Sequence, residues 1–424
     1  MKQLCRFGWS VLLLILAGSL SVSAAEMGYD SQGVGGEVFG RKTGIIHPFL
    51  SVSEVYTDNL TNSSTNEESD YITIFSPGIA LAIPGTGNTD VRISSATGAP
   101  GGLSVSRQKL STTKRFQAFL TYNPEIKRYK DNSDEDFTGQ RVTGAFQYNA
   151  PGGLTVDIAE KYQHAQEMWG ETGDNTAHAT YDDNLTHAIV EFVFSPKFSI
   201  TAGGSYHTLG YKHGISEFRD RDDSTYFGSF NYHVSPKTRL FLEYKRIDVS
   251  YEENVSKTRD SSEDFVSAGF SWDITAKSTG TCKFGYVAKD FDDSSLNDPS
   301  TWSGEIDLTH MLTNRTMIMV SAFRGYFESN LQTAEYYTTN RCDLSFSQDF
   351  TPKLGANLLV SYQNDDYQGA AIENDTYKVR PGIRFSPYRW LACQLAYCYT
   401  KRDSDLKTWE YSTNEYTLSV SASF

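Results

Sequence analysis

The sequence predicts an all-β protein: a transmembrane antiparallel up-and-down β-barrel of about 18 strands, within a range of 16 to 20. Three observations point there. Aromatic residues make up 13% of the 424 residues, as Tyr 26, Phe 25 and Trp 6. Beyond the first 25 residues no apolar run approaches the ~18 residues that a membrane helix needs. Short turn clusters recur at a nearly constant interval, with alternating apolar and polar residues between them. The aromatic content also excludes a disordered chain, which is poor in aromatic and β-branched residues.

The first element is not part of the fold. Residues 1–25 carry Lys2 and Arg6, then the apolar run Trp9 to Leu20, then Ser21-Val22-Ser23-Ala24-Ala25. That order predicts a signal peptide cleaved after Ala24 or Ala25, a short periplasmic lead at 26–44, and a barrel at 45–424. No Cys stands at the cleavage site, so a lipid anchor is not expected. Losing Lys2 and Arg6 takes the formal charge from −14 to −16. Nucleic-acid binding calls for the opposite sign, and no such partner is expected.

Turns come next. They are Ala150-Pro151-Gly152-Gly153, Ser195-Pro196-Lys197, Ser235-Pro236-Lys237, Thr275-Ala276-Lys277, Thr313-Asn314-Arg315, Thr351-Pro352-Lys353 and Ser386-Pro387-Tyr388. Midway between them lie longer acidic segments, such as Asp131–Asp136, Gly214–Asp223, Glu253–Glu263, Asp290–Asp298 and Asn364–Asn374. Short turns at one rim and long loops at the other are the layout of bacterial outer-membrane barrels.

Between the turns, strand faces alternate. Tyr377, Val379, Ile383 and Phe385 oppose Lys378, Arg380 and Arg384, and Val142, Gly144, Phe146 and Tyr148 oppose Arg141, Thr143, Ala145 and Gln147. Tyr148, Phe194, Tyr232, Trp272, Phe350, Tyr388 and Trp390 sit beside the short turns, as an interfacial girdle requires. Strand centres are expected near 51, 77, 122, 144, 160, 189, 205, 229, 245, 269, 284, 306, 322, 345, 360, 381, 396 and 418. That leaves about 21 residues for each strand with its connection, which suits a ~10-residue membrane strand. One segment breaks the rhythm: Pro84 to Thr113 is long and rich in Gly, Ser and Thr where a short turn is expected. It has room for an extra hairpin around Val91–Ser95 and Leu103–Ser106.

The last strand closes the cylinder. Tyr416, Leu418, Val420, Ala422 and Phe424 share one face, and Thr417, Ser419, Ser421 and Ser423 the other. Glu415–Phe424 should pair antiparallel with Ile45–Thr57, because no sheet edge can stand in lipid. A terminal Phe on such a strand resembles the signal read by the outer-membrane barrel assembly machinery, an expected partner through Phe424. Outer-membrane lipid and lipopolysaccharide are the other expected partners.

Three stretches resemble the opening strands of the putative beta-barrel porin 2 family. They are His47-Pro48-Phe49-Leu50-Ser51-Val52-Ser53-Glu54-Val55-Tyr56-Thr57-Asp58-Asn59, Ser76-Pro77-Gly78-Ile79-Ala80-Leu81 and Tyr122-Asn123-Pro124-Glu125-Ile126-Lys127-Arg128-Tyr129. The resemblance implies an outer-membrane barrel often associated with exopolysaccharide gene clusters, and it would cover the whole mature chain. It implies a porin-like channel for polysaccharide or small solutes, with exopolysaccharide secretion components as partners. The alternative is a non-conducting scaffold barrel of an envelope or secretion system. The family brings no catalytic motif, and the stretch from Pro84 departs from its usually brief connection.

Little catalytic chemistry is legible. The eight His are scattered at 47, 164, 178, 187, 207, 213, 233 and 310. Asp182-Asp183 near His187, and Asp220 to Asp223 near His213, are the closest approach to an Asp–His pair. No nucleophile elbow, phosphate loop, HExxH or CxxC is present, so an enzyme is not expected. Cys282, Cys342 and Cys393 fall on apolar faces and Cys398 on the opposite one, which reads as small hydrophobes rather than disulfides. The acidic clusters Asp131, Asp134, Glu135 and Asp136, and Asp290, Asp292 and Asp293, lack the spacing of a calcium loop. No cofactor or metal site is expected.

The polar faces carry the candidate site. Arg141, Lys161, Glu243, Lys245, Arg341, Asp343, Lys378, Arg380 and Arg384 are expected to line the lumen, with Asp157, Lys283, Glu305 and Asp307 beside them. Charge is costly on the lipid face at midplane but suits an aqueous interior. A barrel of 16–18 strands is wide enough for a water-filled channel. A salt-bridged, partly plugged interior is the competing expectation. Lys378, Arg380 and Arg384 form a cationic ladder that would attract anionic solutes. Asp343, Glu305 and the net negative charge oppose it.

Overall fold

A computed structural model describes residues 44–84, 95–102, 115–167, 179–212, 216–253, 256–275 and 277–423. The expected signal peptide, all of the lead but residue 44, His178, His213 and Phe424 lie outside them. So do residues 91–94 and 103–106 of the expected extra hairpin.

Eighteen strands form around all eighteen expected centres. In chain order they are β1 (Ile46–Thr57), β2 (Asp70–Ile83), β3 (Phe116–Tyr129), β4 (Phe137–Ala150), β5 (Leu154–Gln166) and β6 (Thr180–Ser195). Then come β7 (Phe198–Tyr211), β8 (Arg221–Ser235), β9 (Thr238–Tyr251), β10 (Ser261–Thr275), β11 (Ser278–Phe291) and β12 (Ser300–Thr313). The last six are β13 (Thr316–Glu328), β14 (Tyr336–Thr351), β15 (Leu354–Gln368), β16 (Ile372–Tyr388), β17 (Leu391–Ser404) and β18 (Tyr411–Ser423). Each pairs antiparallel with its neighbours in sequence, and β1 pairs with both β2 and β18. The closing register runs from Phe49 opposite Ser423 to Thr57 opposite Glu415. Across that seam Ser51 and Ser53 exchange hydroxyl hydrogen bonds with Ser421 and Ser419, both at 2.8 Å.

Alternation dictates the closed sheet. On β16 the apolar set Tyr377, Val379, Ile383 and Phe385 is exposed, while Lys378, Arg380 and Arg384 on the other face are half-buried. The same outward exposure holds for Val52, Leu120, Ile158, Leu242, Val266, Leu344, Leu395 and Leu418 around the cylinder. So continuous an apolar belt is tolerable only against lipid. Beside the short turns Phe194, Tyr232, Phe350, Tyr388 and Trp390 are exposed, as a girdle should be. A second, tyrosine-rich girdle near the long loops holds Tyr71, Tyr206, Tyr226, Tyr244, Tyr286, Trp302 and Tyr377. Cys282, Cys342, Cys393 and Cys398 are free thiols.

Turn chemistry explains both rims. Ser195 Oγ accepts the backbone N–H groups of Lys197 (3.2 Å) and Phe198 (3.0 Å), and Thr351 Oγ1 does the same for Lys353 and Leu354. That is why Ser/Thr-Pro-Lys recurs there. At the other rim an aspartate before the next strand takes the N–H of the aromatic ending the previous one. Asp136 holds Tyr129, Asp220 holds Tyr211, Asp260 holds Tyr251 and Asp298 holds Phe291, at 2.7–2.9 Å. Part of the loops' acidity is therefore structural.

The β12–β13 ladder stops short at the long-loop end. β12 and β13 pair only from Gly304 opposite Arg324 downward, whereas β13 and β14 stay paired to Glu328 opposite Tyr336. The freed β13–β14 tip leans inward, packing Tyr326 and Tyr336 on Val287 and Phe291 of β11.

Candidate functional site in the barrel interior

Residues 95–102, which a short turn would have replaced, lie against the inner wall. They leave from β2 at the short-turn rim yet contact the long-loop ends of the strands. Ser95 Oγ donates to Asp183 of β6, and Lys161 Nζ of β5 donates to Ser95 Oγ at 2.9 Å. Gly101 N–H donates to Asp223 Oδ2 of β8 at 2.9 Å. Arg221 Nη2 donates to the carbonyls of Thr97 (2.7 Å) and Ala99 (3.3 Å). Glu328 N–H of β13 donates to Gly98 O at 2.7 Å. Because β8 and β13 are five strands apart, a segment touching both spans a chord of the lumen. Gly101 and Gly102 take φ +66° and +72°, the left-handed region that favours glycine.

Charge holds the seat. His207 Nε2 lies 2.8 Å from Asp183 Oδ1, and its Nδ1 lies 3.1 Å from Asp223 Oδ2. Arg221 Nε lies 3.2 Å from both oxygens of Asp223. Lys289 donates to Glu328 (2.6 Å) and Glu263 (3.2 Å), and Tyr251 Oη donates to Glu328 at 2.5 Å. All of these side chains are buried. Paired this way they are sustainable; singly they would not be.

The long-loop mouth is spanned as well. Arg219 makes a bidentate contact with Glu167 (2.9 and 2.8 Å) and stacks on Tyr211 at 4.4 Å. Arg259 donates to the carbonyls of Ser329 (3.2 Å) and Phe218 (3.0 Å) and stacks on Tyr251 at 4.4 Å. The β13–β14 loop then reaches away from Arg259: Tyr367 Oη donates to Asn330 at 2.9 Å, and Ala334 packs on Tyr367 and Trp409.

The nine expected interior residues all lie opposite the lipid-facing side, but in different settings. Lys161 is buried in the seat of residues 95–102. Glu243 and Glu305 share Lys283 at 3.2 and 3.1 Å, and the Lys245 ammonium sits 4.0 Å from the Phe265 ring centroid. A cavity of about 60 Å³ remains there, lined by Ala99, Pro100, Lys245, Ile247, Phe323 and Phe327 among others. Arg341 pairs with Asp343 at 2.9 Å, and Arg384 with Asp349 at 2.9 Å. Arg141 faces inward on β4, half-buried. Lys378 and Arg380 stand half-exposed on β16.

Exposure divides the interior in two. Most inward residues of β5 to β7 and of the long-loop halves of β8 to β11 are buried, as at Asp157, His187, Ile189, Thr225, Ile247 and Glu263, whereas Phe227, Ser229, Glu243, Lys245, Thr281 and Lys283 are half-buried. On β16 and β17 the inward Thr376, Lys378, Arg380, Gln394, Cys398 and Thr400 are half-exposed. Free space therefore follows the second arc.

Several interior residues are not among the nine: Asp183, His207, Arg219, Arg221, Asp223, Arg259, Lys289 and Glu328. Asp183 and Asp223 share His207, and Asp183 does not pair with His187; the expected His213 lies outside the described residues. A signal existed for two of them. Ser216, Arg219 and Asp220 repeat forty residues later as Ser256, Arg259 and Asp260.

A closed, lipid-belted barrel with a charged and partly filled lumen is an outer-membrane barrel of the porin type. The profile of the putative beta-barrel porin 2 family matches residues 94–424, and the chain belongs to that family. Of the three stretches that resemble the family's opening strands, only residues 122–129 fall within the match. Among solved structures, Pseudomonas aeruginosa OccK2 (OpdF) is similar at 9% identity and TM-score 0.45, covering 90% of this chain and 97% of that one. The outer membrane protein OpdK of Pseudomonas aeruginosa is similar at 10% identity and TM-score 0.46, covering 90% and 100%. No curated protein matches the chain in sequence.

Proposed function

We propose that the protein is an outer-membrane channel for small polar solutes. In this reading residues 95–102 narrow the lumen, and the passage follows the inner faces of β14 to β18. One observation carries it: inward side chains are mostly buried along β5 to β7 and the long-loop halves of β8 to β11, and mostly half-exposed along β16 and β17. Ser361, Gln363, Thr376, Gln394 and Thr400 on the open arc offer hydroxyl and amide groups that suit hydroxylated solutes. Sugars or polysaccharide, which the family resemblance implies, belong to that class. Export by residues 1–25, delivery through Phe424 to the barrel assembly machinery and contact with lipopolysaccharide belong to the same proposal.

A second reading, a non-conducting scaffold of an envelope or exopolysaccharide system, is favoured by the β13–β14 loop that reaches from Arg259 to Trp409. Planar bilayers separate the two. Stepwise conductance from the purified full chain supports the channel, and a silent bilayer at protein densities where a control porin conducts supports the scaffold.

A further inference from the structure

Most interior cations on this barrel are matched to an acid, and Lys245 sits instead over the Phe265 ring. Arg221 has Asp223, Arg219 has Glu167, Lys283 has Glu243 and Glu305, Lys289 has Glu263 and Glu328, Arg341 has Asp343 and Arg384 has Asp349. Lys378 and Arg380 are different: among the described residues neither has a hydrogen-bond or ion-pair partner. They sit near the middle of β16, on the open arc, two positions apart and on one face.

Their neighbours supply donors more than acids. Lys378 lies between Ser361 of β15 and Thr400 of β17. Arg380 is opposite Leu359, and Cys398 lies within electrostatic reach of both cations and of Glu415 on β18. The nearby acids are engaged. Asp343 accepts from Arg341 and Ser321, and Asp365 accepts from Thr339 and Gln363. Glu415 stands opposite Cys398, on the far side of β17 from Arg380. A pair of unmatched charges in a confined lumen attracts counter-ions strongly, and guanidinium grips carboxylate in a bidentate fork.

We infer that Lys378 and Arg380 form an anion subsite on the passage wall, built for solutes bearing a carboxylate or comparable oxyanion. The inference rests on the channel reading and names its solute class. Arg384, the third rung of the ladder, does not belong to the subsite because Asp349 holds it.

The test uses the full chain in planar bilayers under a potassium chloride gradient, with Lys378→Gln/Arg380→Gln as the variant. Lys353→Gln, on the exposed short-turn rim, is the control. Heat-modifiable gel mobility establishes that each barrel is folded. The double variant should lower the chloride-to-potassium permeability ratio by about threefold or more, and the control should leave it unchanged. An unchanged ratio in a conducting protein overturns the subsite. If no version conducts, the channel reading fails by itself, and calorimetry with citrate on the folded protein decides the subsite. Wild-type binding that weakens about tenfold in the double variant upholds it, and equal or undetectable binding overturns it.

Discussion

Gly101 donates its backbone N–H to Asp223 Oδ2 at 2.9 Å, joining residues 122 positions apart. The bond places a loop from one rim against the far end of the barrel wall. Asp223 is also approached by Arg221 and His207, so this carboxylate gathers donors from β7, β8 and the inner segment. Glycine is required at 101, since φ is +66° and a Cβ would overlap the Thr225 hydroxyl. The lumen is narrowed by a specific latch rather than by loose chain.

Matched and unmatched lysines should differ in stability. Lys289→Met leaves Glu263 and Glu328 buried without their cation and should cost about 3–5 kcal/mol. Lys378→Met removes a partnerless charge and should change stability by less than about 0.5 kcal/mol. Guanidinium unfolding in lipid vesicles, followed by tryptophan fluorescence, measures both. Similar losses would show that the pairing pattern has no energetic meaning.

The closing seam predicts a crosslink. Ser53 and Ser419 are directly opposite, with hydroxyls 2.8 Å apart. In a background with the four barrel cysteines replaced, Ser53→Cys/Ser419→Cys should form a disulfide that changes non-reducing gel mobility, because the two side chains already meet across the seam. Absence of the bond under oxidation, in a barrel that is otherwise heat-modifiable, would argue against this register.

Asp220, in the loop before β8, should titrate near pH 6. Burial pushes its carboxyl up to about 6, the Tyr211 N–H opposes this, and Glu252, Glu217 and Glu253 add to the rise. A carboxyl with a raised folded pKa binds its proton more tightly in the folded protein. Wild type should therefore gain stability relative to Asp220→Asn as pH falls from 7 through 6 toward 4. Melting curves of both proteins across that range provide the check; a constant difference would contradict it.

The strands were legible because their signals are local. Alternation on β16 and the Ser195-Pro196-Lys197 type of turn each need only a few adjacent residues, and they place both strand centres and faces. The interior of β16 was readable for the same reason, since Lys378 and Arg380 follow from parity. Which charges are matched was not readable. Arg384 finds Asp349 from 35 positions away, and Ser95 finds Asp183 from 88. Residues 95–102 carry no periodic pattern, so their place inside the wall emerges only when β5, β6, β8 and β13 come together. The repeat of Ser216, Arg219 and Asp220 at Ser256, Arg259 and Asp260 was in plain view. Its acidic setting made it look like surface loop.

The central claim, that the inner segment narrows a conducting lumen, is tested most directly by single-channel conductance. Wild type should be compared with a variant in which residues 85–114 are replaced by a short Gly-Ser turn joining β2 to β3. With the chord removed and the barrel still heat-modifiable, the conductance step should rise at least about twofold, because the open cross-section grows. Steps of equal or smaller size in the folded variant would contradict the account.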